Sequence, residues 1–323
     1  MRLRATVEII FGAAIVCSSY AQQAGAPFSP PAEITYRVAD IWSAGTRMHA
    51  EVFAPVSAQG KLPTILMAHG WGGSVPALRP EAVAFAKAGY LVVAFDYRGW
   101  GESDSRVILT DPAPAQRPNH RFTAEVQEVR EVVDPLDQTA DWLNALHWLQ
   151  AEPQCDTTRI GLWGSSFSGG LVVYAAERDP RVKAIHSQVG YMDGRTRPMD
   201  PTPENKNLMY EEATRRARGE LGIPPPLAQV IGNLRGAPIR DRFTDYHPVD
   251  EVGMAPNCAM QFVVAEKEEL FDNNEQGIKA YHLARGPKNL VVIPRITHYG
   301  IYSEARSQAE KLALDWFRQH LKP

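Results

Sequence analysis

The hydrophobic pattern near the start of the chain alternates, and it then becomes continuous. Apolar and polar residues alternate over Ile34 to Trp42 and over Thr46 to Ala54, around a turn at Ala44 and Gly45. This pattern predicts an antiparallel β-hairpin. Leu62 to Ala68 is uninterruptedly apolar, which is typical of a strand that is covered on both faces.

Helical and strand-like segments then alternate to the end of the chain. In chain order they are helix Pro80–Ala88, strand Leu91–Phe95, helix Leu136–Leu149, strand Ile160–Trp163, a helix ending at Ala176, strand Val182–Val189, strand Met260–Ala265, helix Glu275–Arg285, strand Leu290–Ile293 and helix Glu304–Leu321. An antiparallel start followed by such alternation predicts an α/β fold with a mostly parallel sheet between helices.

Two stretches do not follow this alternation. Tyr191 to Pro256 is rich in prolines and charges, and it contains two predicted short helices, Leu208–Arg218 and Leu227–Leu234. Asp104 to Arg121 is irregular and also contains several prolines. We expect both stretches to lie near the mouth of a pocket.

The first residues have the pattern of an export signal. Arg2 and Arg4 precede the short apolar run Ile9–Cys17, and Ser19-Tyr20-Ala21 has the small-x-small form of a cleavage site. We therefore expect a signal peptide over 1–21, a flexible leader over 22–33, a folded domain over 34–323, and a periplasmic or secreted protein. A buried or frayed N-terminal helix is the alternative.

The composition narrows the possible partners. The chain has 323 residues, 44% of them hydrophobic and 22% charged, with a formal net charge of −3. This near-neutral balance without a basic run gives no reason to expect nucleic acid, and past the first residues no apolar run is long enough for a membrane span. We expect no cofactor and no metal. Without the signal peptide, Cys155 and Cys258 remain, either as a disulfide or as two buried thiols.

One segment predicts a nucleophile. In RIGLWGSSFSGG, the apolar run Ile160–Trp163 turns sharply into a second apolar run that has helical character. Such a turn strains and exposes its middle residue, Ser166, and only small residues fit two places before and after it. Gly164 and Ser168 occupy those places, although the usual pattern, G-x-S-x-G, has a second glycine. An ordinary loop between strand and helix is the alternative.

A second segment can supply hydrogen-bond donors to an oxyanion. His69 to Gly73, with the sequence HGWGG, follows the strand Leu62–Ala68. Its glycines allow the backbone to approach a substrate closely. We therefore expect the backbone N–H groups of Trp71 and Phe167 to form an oxyanion hole. His69 is expected to be structural.

Four motifs together carry a family resemblance. HGWGG, DYRGWGES, RIGLWGSSFSGG and the late ITHYGIY, in this order, resemble the α/β-hydrolase superfamily, especially its dienelactone-hydrolase-like and prolyl-peptidase-like serine hydrolases. The resemblance covers residue 34 to the end. It implies an eight-stranded, mostly parallel sheet, a helical cap at about 191–257, and a triad of serine, acid and histidine. Dienelactone hydrolase itself has cysteine at the elbow, where this chain has Ser166.

The resemblance also implies the remaining site residues. His298, which follows the last strand, is the expected base, because imidazole titrates near neutral pH. Glu268 is the expected acid, with Glu269, Asp272 and Asp193 as rivals. Asp96 and Arg98 in DYRGWGES are expected to hold loops rather than to do chemistry.

Together these features predict a serine hydrolase that cleaves short- to medium-chain carboxylic esters through an acyl-enzyme intermediate, with a small-molecule ester as its substrate. A prolyl-type peptidase or amidase is the alternative, and a non-catalytic binding protein is a third possibility. The chain-length expectation depends on the cap. We expect its charged residues to face solvent while a set of apolar residues roofs the pocket: Leu208, Ala213, Leu221, Leu227, Val230 and Ile231.

Overall fold

The computed structural model describes residues 28–196, 203–221 and 234–323. Its strands are β1 (Ile34–Ser43), β2 (Thr46–Pro55), β3 (Leu62–Ala68), β4 (Leu91–Phe95), β5 (Arg106–Leu109), β6 (Val126–Val129), β7 (Val132–Val133), β8 (Cys155–Ser165), β9 (Val182–Gln188), β10 (Ala237–Pro238), β11 (Ala259–Ala265) and β12 (Lys288–Ile293). Its α-helices are α1 (Arg79–Lys87), α2 (Pro135–Leu149), α3 (Phe167–Arg178), α4 (Pro203–Ala217), α5 (Arg240–Phe243), α6 (Gly277–Leu283) and α7 (Arg306–Leu321). Short 3-10 turns connect several of them.

Eight strands form one sheet in the order β1-β2-β4-β3-β8-β9-β11-β12. The predicted hairpin is present as β1 and β2, which pair in antiparallel register from Ile34 with Pro55 to Ser43 with Thr46. β2 also runs antiparallel to β4, and the remaining neighbours are parallel. The predicted eight-stranded, mostly parallel sheet is confirmed.

The two faces of the sheet are covered by different helices. On one face Leu66 and Leu162 pack with Trp142 of α2 and Val172 of α3. On the other face Ile65 packs with residues of α1 and α7. Successive residues of a strand point to opposite faces, and both faces are covered, which explains why these strands are continuously apolar in sequence.

The alternation of elements is as predicted, with bounds that shift by a few residues. The start of β8 moves from Ile160 to Cys155, which pairs with Leu62 of β3, and the start of α4 moves from Leu208 to Pro203. Two small pairings were not predicted: β5 pairs antiparallel with β6, and β7 pairs parallel with β10. Asp104–Arg121 is therefore not wholly irregular.

Several other expectations can be compared with the described residues. Cys155 and Cys258 are free and buried, so the two do not form a disulfide. Among the helices of the described ranges, none has the length and apolarity needed to cross a bilayer. The proposed signal peptide (1–21) and the first half of the leader, residues 22–27, lie outside the described residues.

Candidate active site

Ser166 lies at the sharp turn where β8 passes into α3. Its backbone has φ 58° and ψ −127°, a combination that is strained for a residue with a side chain. Gly164 is required beside it, because a Cβ there would lie 2.3 Å from the carbonyl oxygen of Ser168. Ser168 itself is fully buried at the start of α3, so a small serine fits where the usual pattern has glycine.

The structure brings Ser166, His298 and Glu268 together in one hydrogen-bonded line. His298 Nε2 lies 3.0 Å from Ser166 Oγ, and His298 Nδ1 lies 2.9 and 3.0 Å from the two carboxylate oxygens of Glu268. A carboxylate only accepts, so Nδ1 carries the hydrogen and Nε2 is left to accept the Ser166 proton. The side chains of His298 and Glu268 are each 2% exposed.

Backbone contacts fix the two loops that carry His298 and Glu268. The His298 N–H donates to Glu269 Oε2 at 2.6 Å, and the Leu270 N–H donates to Glu268 Oε1 at 3.1 Å. The Lys267 N–H donates to the Ile296 carbonyl at 2.9 Å. The loops after β11 and β12 are thereby tied to each other, which orients the imidazole toward Ser166.

The rival acids have other partners. Glu269 accepts the backbone N–H of His298, and Asp272 accepts from the backbone and side chain of Asn274. Asp193 forms a two-bond ion pair with Arg195, at 2.6 and 2.8 Å. Of the four candidate carboxylates, Glu268 is the one that faces the imidazole.

The loop after β3 faces the nucleophile closely. A Cβ at Gly70 would lie 2.8 Å from the Ser165 carbonyl oxygen and 3.0 Å from the Ser166 Cβ, so glycine allows this approach. Within the described part of the chain, the N–H groups of Trp71 and Phe167 donate to no protein acceptor. Phe167 is also the first residue of α3, where the positive end of the helix dipole lies. Both predicted donors are therefore available to an oxyanion.

Side chains behind this loop hold it in place. His69 Nδ1 donates to the Gly70 carbonyl at 2.8 Å, and burial lowers the pKa of His69. Trp71 Nε1 donates to the Arg235 carbonyl at 3.0 Å. Asp96 accepts the N–H of Val75 at 2.7 Å. The expectation that His69 and Asp96 are structural agrees with these contacts.

Arg98 supports the adjacent loop. Its Nε donates to Asp141 Oδ1 at 2.5 Å, and its backbone N–H donates to Asp141 Oδ2 at 3.1 Å. Burial raises the pKa of Asp141 to about 6, although the Arg98 charge opposes that shift. Arg98 thus holds a loop, as expected from the sequence.

A cavity of about 840 Å³ opens above the nucleophile. Its wall is largely apolar, and it also contains the ion pair between Arg306 and Glu81, two bonds of 2.7 and 2.9 Å, with Glu310 beside it. Burial raises the pKa of Glu310, and the nearby Glu81 charge raises it further. Apolar residues of this wall include Trp71, Pro76, Ala77, Leu78, Pro80, Ile301 and Ala309. In the described ranges, no cluster of histidine, cysteine and acidic residues could hold a metal ion.

The expected roof over this cavity is wrong for the part of the cap that the structure describes. Leu208 is 41% exposed, and α4 packs against α5 without lining the cavity. Ion pairs make this contact: Arg216 with Asp241, and Glu212 with Arg240. α4 carries few apolar side chains, of which Met209 is buried, and the ion pairs add to its packing. Ala213 and Leu221 are half-buried and also do not line the cavity.

The remaining expectations about the mouth of the pocket are either wrong or concern residues that the structure does not describe. In the described part of the insertion, which runs from Tyr191 to Pro256, Leu234 and Arg235 line the cavity. Asp104–Arg121 does not line the cavity, so its expected place at the mouth is wrong. Leu227, Val230 and Ile231 lie outside the described residues.

Two polar residues at the site were missed in the sequence. Gln188 ends β9 and Tyr302 lies four residues after His298, and both line the cavity beside Ser166. The Tyr302 hydroxyl lies 2.7 Å from Ser165 Oγ. The motif ITHYGIY showed a second tyrosine near the base, but a short loop does not reveal which side chain turns inward.

Comparison with known proteins supports this architecture. Residues 44–202 match the family described as X-Pro dipeptidyl-peptidase (S15 family). The α/β hydrolase GrgF from Penicillium sp. superposes with a TM-score of 0.69 at 18% identity, over 89% of this chain and 99% of that one. The chain has the fold of the α/β hydrolases.

The chain also resembles two further proteins. An uncharacterized 31.7 kDa protein of Escherichia coli, from the traX-finO intergenic region, is 27% identical over 81% of this chain and 92% of its own length. The acetyl xylan esterase of Paenibacillus sp. R4 superposes with a TM-score of 0.57 at 19% identity, over 88% of this chain and 86% of that one. The likeness to the solved structures concerns the fold.

Proposed function

We propose that this hydrolase is a serine esterase that cleaves carboxylic esters through an acyl-enzyme intermediate. The observation that carries the proposal is the contact of 3.0 Å between Ser166 Oγ and His298 Nε2, on an imidazole that Glu268 fixes from its other side. A nucleophile, a base and an orienting acid in this arrangement activate serine toward acyl groups.

The first half of the reaction follows from these contacts. Ser166 Oγ attacks the ester carbonyl carbon while its proton passes to His298 Nε2. Glu268 stabilises the resulting imidazolium, and the N–H groups of Trp71 and Phe167 donate to the oxyanion. His298 then gives the proton to the departing alcohol oxygen, which leaves the acyl group on Ser166.

The second half uses the same groups with water. Water attacks the acyl carbon and gives a proton to His298. The bond between the acyl carbon and Ser166 Oγ breaks, His298 returns the proton to Oγ, and the carboxylic acid leaves. No further group is needed for either half.

Short- to medium-chain substrates are the second part of the proposal. The cavity of about 840 Å³ is of a size that holds a small organic molecule. Its apolar wall also contains the ion pair of Glu81 and Arg306. An alkyl chain that covered this pair would remove its charges from water, which is unfavourable. The ion pair therefore favours a limited apolar length, in place of the roof that was expected from the cap.

A peptidase is the second candidate, because residues 44–202 match the X-Pro dipeptidyl-peptidase (S15) family. Such an enzyme binds a peptide amine, which calls for an available carboxylate near the nucleophile. Glu81 is engaged by two bonds to Arg306, whereas Glu310 lines the same cavity with a raised pKa. With Glu81 committed to Arg306, Glu310 is the remaining carboxylate among the described residues that line the cavity.

A fluorophosphonate probe followed by a substrate panel tests the proposal. We expect the probe to label wild-type protein at Ser166 and to leave Ser166→Ala unlabelled, with p-nitrophenyl esters cleaved and X-Pro p-nitroanilides uncleaved. Labelling with preferential cleavage of the anilides would identify a peptidase. Absence of labelling and of any hydrolysis would reject a serine hydrolase and leave a binding protein on this fold.

Export is a separate proposal, and it is supported by the residue pattern of positions 1–21. We expect cleavage after Ala21 and recovery outside the cytosol. An intact-mass measurement on protein from the producing cells tests it. A chain that still begins at Met1 in the cytosolic fraction would contradict it.

A further inference from the structure

Three aromatic rings pack against one another behind the two expected oxyanion donors. Two of the rings belong to the donor residues themselves, Trp71 and Phe167, and the third is Phe243 at the end of α5. The ring centroid of Phe243 lies 5.6 Å from that of Trp71 and 5.8 Å from that of Phe167, and the latter two lie 5.8 Å apart. We call these three residues the aromatic triangle.

Phe243 touches both donor residues without reaching the cavity. Its side chain is fully buried, and it is not part of the described cavity wall, whereas Trp71 is. Phe243 also belongs to the insertion between Tyr191 and Pro256, whose role in the roof was not confirmed. The aromatic triangle therefore connects this insertion to the residues of the oxyanion hole.

The loop that carries Trp71 depends on such contacts for its shape. Trp71 has glycine on both sides, and glycine restricts the backbone least. His69 holds the Gly70 carbonyl, which is in the same peptide unit as the Trp71 N–H. The insertion holds the indole: the ring of Phe243 stacks on it at 23°, and the Arg235 carbonyl accepts from its Nε1 at 3.0 Å. The direction of the Trp71 N–H therefore depends on the insertion.

The second donor is already fixed by the helix that it starts. Phe167 is the first residue of α3, and its side chain is 1% exposed and packs against Phe243 and Tyr246. The distance between the two donors therefore depends on how Trp71 sits relative to Phe167. Oxyanion donors act only when they are aimed at the developing charge, and a displacement of about 1 Å can cost about 100-fold in rate.

Phe243 is itself anchored to the core of the fold. Its neighbour Arg242 donates from Nη1 to Asp134 Oδ2 at 2.6 Å, at the start of α2. Three residues further on, the Tyr246 hydroxyl donates to the Tyr191 carbonyl at 3.0 Å. The ring of Phe243 is thus held on both sides along the chain, and it can serve as a fixed support for Trp71.

We propose that Phe243 is a positioning residue for the oxyanion hole, whose ring fixes the Trp71 N–H relative to the Phe167 N–H so that both donate to the same oxygen. The inference rests on the proposed esterase function. The carbonyl oxygen becomes negatively charged when Ser166 Oγ bonds to the carbonyl carbon, and the two N–H groups then stabilise it. Because Phe243 acts through these donors, loss of its ring weakens the transition state more than the bound substrate.

Phe243→Leu tests the positioning role by removing the ring while keeping an apolar side chain. We expect kcat for a p-nitrophenyl ester to fall about 10- to 100-fold, less than the loss of a complete donor. KM should change little, because Phe243 does not line the cavity. An unchanged kcat, or a raised KM with unchanged kcat, would overturn the inference.

The matched control is Phe53→Leu. Phe53 is equally buried, but it lies on β2 and not in the described cavity wall. This variant should lose thermal stability as Phe243→Leu does and should keep the wild-type kcat. A loss of kcat in Phe53→Leu as large as that in Phe243→Leu would show a general effect of core packing and would overturn the positioning role.

A tetrahedral adduct distinguishes positioning of the donors from a structural role. Ser166 Oγ adds to an alkyl trifluoromethyl ketone and places an oxyanion in the hole, whereas the corresponding trifluoromethyl alcohol binds without addition. In Phe243→Leu, the Ki of the ketone should rise by about the factor by which kcat falls, because a transition-state analogue depends on the same donors. The Ki of the alcohol should stay unchanged. Equal changes in the two Ki values would contradict the proposal.

Folding and the parent function are checked separately. If Phe243→Leu unfolds, as judged by thermal melting, Trp71→Phe replaces it, because this change keeps a ring and removes the hydrogen bond to the Arg235 carbonyl. The ratio of ketone Ki to alcohol Ki should rise again, and an unchanged ratio would overturn the inference. Fluorophosphonate labelling of the wild-type chain distinguishes the two levels of the argument. A labelled, active wild-type enzyme with an undiminished Phe243→Leu variant rejects the inference alone, whereas an unlabelled, inactive wild-type chain rejects the proposed function.

Discussion

Replacing Glu268 by glutamine should inactivate the enzyme through the tautomer of His298 rather than through a change of shape. Glu268 Oε1 accepts the Leu270 N–H at 3.1 Å, and both carboxylate oxygens face His298 Nδ1. In Glu268→Gln, the amide oxygen should remain with the Leu270 N–H. The amide nitrogen would then lie where Oε2 is, 2.9 Å from Nδ1. It would donate to Nδ1 and shift the imidazole hydrogen to Nε2, so that Nε2 could no longer accept the Ser166 proton.

The size of the effect follows from the loss of the base. A wrong tautomer in such a triad lowers kcat by about 10⁴-fold, which is about 5 kcal/mol in activation free energy. The loss should be smaller than that of Ser166→Ala, because orientation is one part of the catalysis. Glu268→Ala should lose about as much as Glu268→Gln, although glutamine keeps the shape.

The assay is kcat and KM on a short p-nitrophenyl ester, with thermal melting to verify the fold. Asp272→Asn and Asp193→Asn are matched controls, because their carboxylates have other partners; both should remain near wild type. The kcat of Glu269→Gln should lie between that of these controls and that of Glu268→Gln, since the substitution weakens the 2.6 Å contact with the His298 N–H. Near-full activity of Glu268→Gln, or inactivation by Asp272→Asn, would refute the reasoning.

Three further predictions follow from the same structure. Ser166→Ala should lose several orders of magnitude in kcat while melting normally, whereas Ser168→Ala should remain active; the reverse result would show that the nucleophile is misplaced. Across p-nitrophenyl esters from acetate to palmitate, each added methylene that fits should lower the activation free energy by up to about 1–3 kcal/mol and so raise kcat/KM. Beyond the length that the cavity holds, kcat/KM should collapse; highest activity on palmitate would contradict a bounded cavity. Burial raises the pKa of Glu177 to about 9, from an ordinary 4.5, and its Oε1 has no partner among the described residues. Between these two pKa values the folded chain binds more protons than the unfolded chain, so the folded state loses stability as pH rises through this range. Glu177→Gln should therefore raise Tm at pH 8 and have a smaller effect at pH 5. An unchanged Tm at pH 8 would contradict this.

The acid of the triad shows where sequence reasoning stops. Glu268, Glu269 and Asp272 lie in one short acidic loop after β11, and a shift by one residue turns a different carboxylate toward His298. Hydrogen bonds between the loops after β11 and β12, such as Lys267 to Ile296, decide which one it is. Those contacts join segments that are distant in sequence, so no local pattern reveals them.

The cap shows the same limit from another side. α4 was predicted from its sequence, but its orientation was not. An amphipathic pattern gives a broad buried face only when apolar side chains dominate it; α4 buries Met209 but contacts α5 through ion pairs such as Glu212 with Arg240. Leu208 is consequently exposed, and the described wall of the cavity includes the loops after β3 and β12 and residues of α1 and α7.

The sequence by itself determined the alternation of strands and helices, the turn at Ser166 and the glycine loop beside it. These features depend on local physics: periodic burial, the small size required at Gly164, and the close approach allowed at Gly70. Tertiary structure alone decided which carboxylate meets His298, how α4 packs, and that Gln188 and Tyr302 line the cavity beside Ser166. Each of these depends on contacts between elements that are distant in sequence. The partners of such a residue, which set its free energy, are not specified by its neighbours in the chain.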